Sequence, residues 1–331
     1  MTFLSPTIQK TLSERFGTRL KNNVSLAGLT TAQVGGPANT LITIQNREEL
    51  AETARLLWDA DIPFRVLGSG SNVLFSDQPY QGIILLNKAK LIKIDTNIPQ
   101  PTIWAESGAN FGLVARKAAL AGLGGLEWAA TIPGTIGGAV YGNAGAHGGN
   151  MAGNLLVAEI LQQGKEPANW TCEKMEYSYR SSILKREQIQ AIILSATFSC
   201  SPASPKTVQD QMQQYSEYRR LTQPPGASMG SMFKNPEGDY AGRLIEAAGL
   251  KGKKIGGVKV SEIHANFFVN SENATAQDIW QLARFVQEKV YQQFNVRLEL
   301  EIEPVGFTPE GDFTPQVSNN QNNKTASNGR D

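Results

Sequence analysis

The sequence predicts an α+β protein built in two main parts. Strand-like and helix-like segments mix along the first 200 residues without strict alternation, which argues against a simple doubly wound sheet. A Ser- and Pro-rich break, SPASPK at 201–206, separates that region from a second unit. The second unit holds the most regular helical pattern of the chain, TAQDIWQLARFVQEKVYQQF, with Ile279, Leu282, Val286 and Val290 on one side.

Taken in order, the residues up to about Leu26 read as weakly amphipathic helix, with firm structure expected from near Thr30. TLITIQ alternates as a strand does. NREELAETARLLWDADIP is a helix with Asn46 as N-cap, Glu49 completing a capping box, and Leu50, Ala54, Leu57 and Trp58 on one face, ended by Pro63. FRVLG is a buried strand running into GSGSN, and GIILLN and TIWAES are short strands. A helix over 110–121 has Gly122 beyond its end. Strands are expected at LLVAEILQ, MEYSY and AIILSATFS. A helix over 208–221, with Val208, Met212 and Tyr215 along its face, starts the second unit and stops at Pro224 and Pro225. DYAGRLIEAAG is a helix with Gly249 at C′, SMFKNP and IGGVKV are strand or loop, and VRLELEIEPVG closes the unit as a strand. Residues after about Thr308 are polar and expected to be disordered.

Composition removes several function classes. The 331 residues are enough for two or three domains, and a net charge of +1 offers no global field for nucleic acid or anionic membrane. Two cysteines, Cys172 and Cys200, and two histidines, His147 and His264, form no metal-like cluster, so no metal is expected and the thiols are read as reduced. The N-terminus carries no signal-peptide pattern and no stretch is long and apolar enough to span a membrane, so a cytoplasmic location is expected.

Residues 122–149 hold ten of the 32 glycines, where an even spread would place about three. Glycine serves where backbone takes positive φ or closely approaches a ligand, and successive exposed N–H groups form anion-binding nests. The run Pro133, Gly134, Thr135, Ile136, Gly137, Gly138, Ala139 suits a pyrophosphate. The loop Gly68, Ser69, Gly70, Ser71, Asn72 follows a strand and adds hydroxyl and amide donors. Neither is the dinucleotide fingerprint GxGxxG with its acidic partner. A tight turn explains either loop alone. The pair, with Ile132, Ile136, Val140 and Tyr141 interleaved, favours a dinucleotide held without a Rossmann fold.

Three further segments, YSYRSSILK (177–185), GSMFKNPEGDYAGRLIEAAGLKG (230–252) and HANFFVN (264–270), join TTAQVGGPA, VLGSGSNVLF and IPGTIGGAVYGNAGAHGG. Together, over about 26–306, they resemble the UDP-N-acetylenolpyruvoylglucosamine reductase (MurB) family in order and spacing. The resemblance implies a two-part FAD-binding domain of the vanillyl-alcohol oxidase/p-cresol methylhydroxylase type and a C-terminal α+β substrate-binding domain. It also implies non-covalent FAD, NADPH as reductant, and an enolpyruvyl ether of a UDP-sugar as substrate. The chain lacks the extra loop of the family's longer subtype. The division expected is an N-terminal segment 1–25, an FAD-binding domain 26–200, a substrate-binding domain 201–307 and a tail 308–331, acting as a monomer.

By the same resemblance, Arg180 is the catalytic arginine, Ser231 the proton donor and Glu301 the glutamate that polarises the substrate carboxylate. Alternation alone does not choose Glu301 over Glu299 and Glu303. Gly68, Ser69, Gly70, Ser71, Asn72, Pro133, Gly134, Thr135, Gly137, Gly138, Ala139, Asn143 and Ala144 are expected on the cofactor. Tyr177, Lys234 and Asn235 are expected on the substrate, with Arg219, Arg243 and His264 as weaker candidates. His147 falls where the family has no covalent flavin link. The segment QPPGASMGS departs from the family's usual pattern, with Met229 before Gly230. An oxidase of the same flavin superfamily and a non-catalytic nucleotide-binding module are the alternatives, and both leave Arg180 and Ser231 unexplained.

Overall fold

The computed structural model describes residues 4–307. The tail expected to be disordered lies outside the described residues. The first lobe comprises α1 (Pro6–Phe16), β1 (Leu20–Ser25), β2 (Pro37–Ile44), α2 (Arg47–Asp59), β3 (Phe64–Leu67), β4 (Val73–Phe75) and β5 (Tyr80–Asn87). Its sheet runs β1-β2-β5-β3, with β2, β5 and β3 parallel and β1 antiparallel at the edge. Side chains alternate with period two, so Ile83 and Leu85 enter a core with α1 and α2, while Ile84 and Leu86 enter a second core on the opposite face. Burial on both faces explains the unbroken apolar run GIILL.

The N-terminus differs from expectation. Structure starts at α1, because Leu12 and Phe16, four residues apart, are both buried in the first core. The helix then stops at Gly17, and LKNNVS forms an edge strand whose mostly exposed side chains carry no alternation to read. In α2 the Asn46 cap is as expected, accepting from Glu49 N at 2.8 Å. The Glu49 carboxylate, however, accepts from Gln45 N at 2.8 Å and pairs with Arg19 at 2.7 Å, one residue off the expected box.

The second lobe comprises β6 (Ile92–Asp95), β7 (Thr102–Glu106), α3 (Phe111–Leu120), β8 (Leu123–Gly124), α4 (Ile136–Gly142), β9 (Gly145–Ala146), β10 (Gly149–Asn150), α5 (Met151–Asn154), β11 (Leu155–Gln162), β12 (Ala168–Thr171), α6 (Ile183–Arg186), β13 (Ala191–Ser199), β14 (Ser201–Pro202) and α7 (Pro205–Thr222). Its main sheet is antiparallel in the order β12-β11-β13-β7-β6. One face packs on α3 and α4 through Phe111, Val114, Ile136, Val140 and Phe198. The other sends Leu161, Ile192 and Leu194 into the core of the first lobe. One expectation fails here. MEYSY is a tight turn rather than a strand, closed by the Ser178–Ser181 bridge. The helix α7, expected to open the second unit, buries Val208 and Met212 in this lobe.

The third lobe holds α8 (Ala241–Ala247), β15 (Lys254–Ile255), β16 (Val258–Val260), β17 (Phe268–Asn270), α9 (Ala276–Phe294) and β18 (Glu303–Val305). The sheet β15-β16-β17 is covered by α8 and α9 through Leu244, Ile279, Leu282, Val286 and Val290. Thr275 and Asp278 form a capping box on α9. The Asp77 carboxylate of the first lobe also accepts from Ala276 N and Gln277 N, both at 2.9 Å. A cap of this kind contributes about 1 kcal/mol, here across two lobes. The final strand does not close its own unit. After a bridge from Leu300 to Phe233, β18 runs parallel to β4, with Glu303 opposite Val73 and Val305 opposite Phe75. Residues 303–305 thus lie beside the strand that follows the 68–72 loop.

Candidate active site

The two glycine-bearing loops meet. Loop 68–72 joins β3 to β4, and residues 133–135 lead into α4. Ser71 donates through Oγ to Pro133 O at 3.0 Å. A Cβ on Gly68 would collide with the Thr135 hydroxyl, and one on Gly70, at φ 62, would collide with the Leu29 carbonyl. Only glycine allows both approaches. Among the described residues the backbone N–H groups of 69–72 reach no protein acceptor, so they form a nest of unused donors. The longer loop behaves differently from expectation. The amides of Ile136, Gly137 and Ala139 are donated to Ala109, Ser107 and Thr135 carbonyls at 2.8–2.9 Å. Three donors of the run that suited a pyrophosphate are therefore consumed by the fold, and the loop forms a wall. Gly138 lies in the same first turn of α4, with Ala139 buried behind it.

A cavity of about 160 Å³ opens between these loops, lined by Gly68, Ser69, Thr135, Asn87, Lys88 and Lys90 among others. Burial and the neighbouring Lys90 lower the Lys88 pKa. Unused amide donors, glycines that admit no Cβ, and two cations at a cavity suit a dinucleotide diphosphate. Sequence reading missed Lys88 and Lys90, whose only signal was two cations just after a strand.

Asn143 and Ala144 sit at the opposite end of α4. Asn143 is left-handed at φ 47, and its buried amide donates to Ser178 O at 2.8 Å and accepts from Ala152 N at 3.2 Å. Ala144 N closes the helix on Ala139 O. This end holds the turn that carries Arg180. Tyr177 donates its hydroxyl to Val140 O at 2.9 Å, and Ser182 donates to Tyr141 O at 2.6 Å. Burial pushes the Tyr177 phenol well above its ordinary pKa. Tyr177 and Asn143 are thus engaged in fixing the turn, and their hydrogen-bonding atoms point into the protein. Arg180 stands at φ 55, a conformation costing a non-glycine residue about 1 kcal/mol.

From that turn Arg180 donates through Nε to Glu301 Oε1 and through Nη2 to Gly145 O, both at 2.8 Å. The three alternating glutamates are separated by their partners: Glu299 faces Lys234 at 3.1 Å, Glu301 faces Arg180 and Glu303 faces Lys185 at 2.6 Å. The Glu299 side chain is 75% exposed and Glu301 only 20%. Burial raises the Glu301 carboxyl above its ordinary value, against the opposing pull of Arg180, Lys185 and Lys234. The Glu301 carbonyl accepts from Asn72 Nδ2 at 3.1 Å, and Glu303 N donates to Asn72 O at 2.9 Å, which ties this segment to the nest.

Ser231 enters from a third direction. Its segment bridges Phe267 on one side, and on the other Met232 O accepts from Glu301 N at 2.9 Å. The half-buried Ser231 hydroxyl makes no hydrogen bond among the described residues. Lys234 follows on the same edge. Asn235 accepts from Ala241 N at 3.1 Å, so its carbonyl oxygen is committed to the start of α8. Met229 of the unusual QPPGASMGS segment is buried in the third-lobe core, and Ala227 O accepts from Asn270 N at 2.9 Å, so the segment is anchored despite its altered sequence. Of the weaker candidates, Arg243 pairs with Asp239 on the surface, and His264 accepts from Asn266 N at 3.2 Å as a structural residue.

Fold and site together define an FAD-binding flavoprotein, in which a second domain brings Ser231, Lys234 and Glu301 to the edge of the 68–72 nest. The family profile "FAD binding domain" matches residues 38–161, and "UDP-N-acetylenolpyruvoylglucosamine reductase, C-terminal domain" matches 221–305. The Bacillus velezensis enzyme of that name is 39% identical, covering 85% of this chain and 92% of the relative. That of Bacillus subtilis is 36% identical over 89% and 97%. The crystal structure of the Thermus caldophilus reductase superposes with a TM-score of 0.74 at 35% identity, covering 87% of this chain and 99% of that one. The chain belongs to the UDP-N-acetylenolpyruvoylglucosamine reductase family.

Proposed function

We propose that this chain reduces the enolpyruvyl ether of UDP-N-acetylglucosamine to the lactyl ether, giving UDP-N-acetylmuramate for peptidoglycan synthesis, with NADPH as reductant and FAD bound non-covalently. The observation that carries this reading is the Arg180–Glu301 pair held against the 68–72 nest by Asn72. FAD, when bound, supplies the hydride chemistry between NADPH and the terminal enolpyruvyl carbon. Residues 69–72 would hold its diphosphate, with 133–135 as the facing wall. Arg180 holds the substrate carboxylate and stabilises the charge that develops there during reduction. Ser231 delivers the proton to the adjacent carbon, and Lys234 stands beside it for the substrate's anionic portion. A yellow protein that turns NADPH over steadily only when the enolpyruvyl sugar nucleotide is added is the expected result. Bleaching by NADPH without reoxidation by that substrate would overturn the reading.

Glu301 gives the reaction a pH dependence. Its pKa lies above the ordinary 4.5, so below that raised value the carboxyl is protonated and leaves Arg180 available to the substrate carboxylate. As pH rises through it, the ionised Glu301 competes for the same guanidinium. KM for the sugar nucleotide should therefore climb with pH through that window, and Glu301→Gln should flatten the rise. An identical KM profile in the variant would remove Glu301 from this role.

The reading extends to the rest of the chain. A cofactor part over 26–200 and a substrate part over 201–307, with α7 packed on the former, act as a monomer in the cytoplasm and bind no nucleic acid. The net charge of +1 supports the last point. Among the described residues no helix is long and apolar enough to cross a membrane.

A further inference from the structure

The β9–β10 hairpin is thinly built for its position. It has two residues per strand and two backbone pairs, and an isolated two-stranded ribbon is marginal in water. Its turn places His147 at φ 51 and Gly148 at φ 81, as tight hairpins require. Yet the carbonyl of its first residue, Gly145, is one of the two partners of Arg180. The other partner, Glu301, lies in the reacting constellation itself. When Glu301 protonates or engages the substrate, Gly145 O is the anchor that remains.

Two contacts outside the ribbon hold it. Gly149 lies against Trp128 so closely that a Cβ would collide with the ring. At the tip, the His147 imidazole stacks on the Tyr215 ring, with centroids 4.1 Å apart and planes at 8°, and Tyr218 meets it edge-on at 6.0 Å. Thr131 Oγ1 lies 3.5 Å from Nε2, and Arg219 donates to the Thr131 carbonyl. Tyr215, Tyr218 and Arg219 share one face of α7 by their spacing. Beyond Met212 that helix buries no residue, so this cluster is what joins its C-terminal half to the site. Burial and the nearby Arg219 lower the His147 pKa, which favours a neutral ring in the stack.

We propose that His147 is a positioning residue: its stack on Tyr215 fixes the β9–β10 hairpin and, through the Gly145 carbonyl, the Arg180 guanidinium. The inference rests on the reading of Arg180 given above. Displacing a catalytic group by an ångström lowers rates by up to ~100-fold, so partial loosening of this anchor should cost about tenfold.

The test uses the FAD-loaded protein, NADPH and the enolpyruvyl ether of UDP-N-acetylglucosamine in stopped flow. His147→Ala should keep its flavin and bleach normally with NADPH. Its reoxidation rate at saturating sugar nucleotide should fall about tenfold, with KM for that substrate rising alongside. His147→Phe, which keeps a stacking ring, should recover most of the rate. Tyr215→Ala, which removes the other ring of the stack from outside the hairpin, should match His147→Ala and replaces it if the hairpin variant misfolds. Wild-type rates in both alanine variants would overturn the inference. So would a loss confined to KM, which marks direct substrate contact, or a His147→Phe variant as slow as the alanine one. Arg180→Ala run alongside separates the failures. If it turns over normally, the reading of Arg180 falls; if it is slow while His147→Ala is normal, only the positioning inference falls.

Discussion

Ser231→Ala should leave NADPH bleaching of the flavin intact while substrate-dependent reoxidation slows by about 10³-fold, equivalent to roughly 4 kcal/mol of barrier. The backbone at Ser231 is fixed from both sides, by the bridge to Phe267 and by the Met232–Glu301 hydrogen bond. Removing the hydroxyl therefore changes one atom and leaves its surroundings in place. The hydroxyl makes no hydrogen bond among the described residues, so its loss strands no buried partner, and the melting temperature should hardly move. A serine is a weak acid in water. In the proposed role it would serve because the carbon to be protonated is strongly basic, and because a half-buried hydroxyl with no partner among the described residues is free to turn toward that carbon. Stopped-flow traces of the two half-reactions decide the matter, and normal reoxidation in Ser231→Ala would end the proton-donor assignment.

Arg180→Ala should lower kcat/KM by about 10³-fold or more, because the guanidinium both binds the carboxylate and meets the charge that grows on it. Arg180→Lys should recover little, since a point charge on a flexible stem does not reproduce a planar fork. The loss is compounded at Glu301, which would remain partly buried without its cation and so hold its proton more tightly. Stability should respond in a different pattern. At φ 55 any side chain is strained, so Arg180→Gly should be more stable than Arg180→Ala by about 1 kcal/mol while equally inactive. Urea unfolding of the two variants beside their kinetics separates the backbone from the guanidinium. An active Arg180→Ala would remove the arginine from the mechanism.

Much of the architecture was legible because it is encoded locally. The cap at Asn46, the period of α9 and the strands β2, β5, β11 and β13 depend on neighbours within one element. The misreadings arose where contacts outside the segment decided its form. MEYSY has the composition of a strand, but Tyr177 and Asn143 lock it into a turn against α4. The longer glycine loop had the composition of a nest, yet three of its amides go to carbonyls near β7 and its own start. LKNNVS offered no alternation because an exposed edge strand has no face to bury. At the site, residue types were readable and commitments were not: the Tyr177 hydroxyl and the Asn235 side-chain carbonyl oxygen both hold the fold.

By itself the sequence determined the α+β class, the two glycine-bearing loops, the family resemblance and the candidate trio Arg180, Ser231 and Glu301. Only the tertiary structure decided that β18 leaves its own lobe to pair with β4, and that Arg180 meets Glu301 across a separation of 121 residues. It also gave different cations to Glu299, Glu301 and Glu303, which alternate identically in sequence: Lys234, Arg180 and Lys185. The reason is physical. Propensity and periodicity are set by residues within a few positions of each other, whereas the partner of an edge strand or a charge is set by which surfaces the whole chain can bury together.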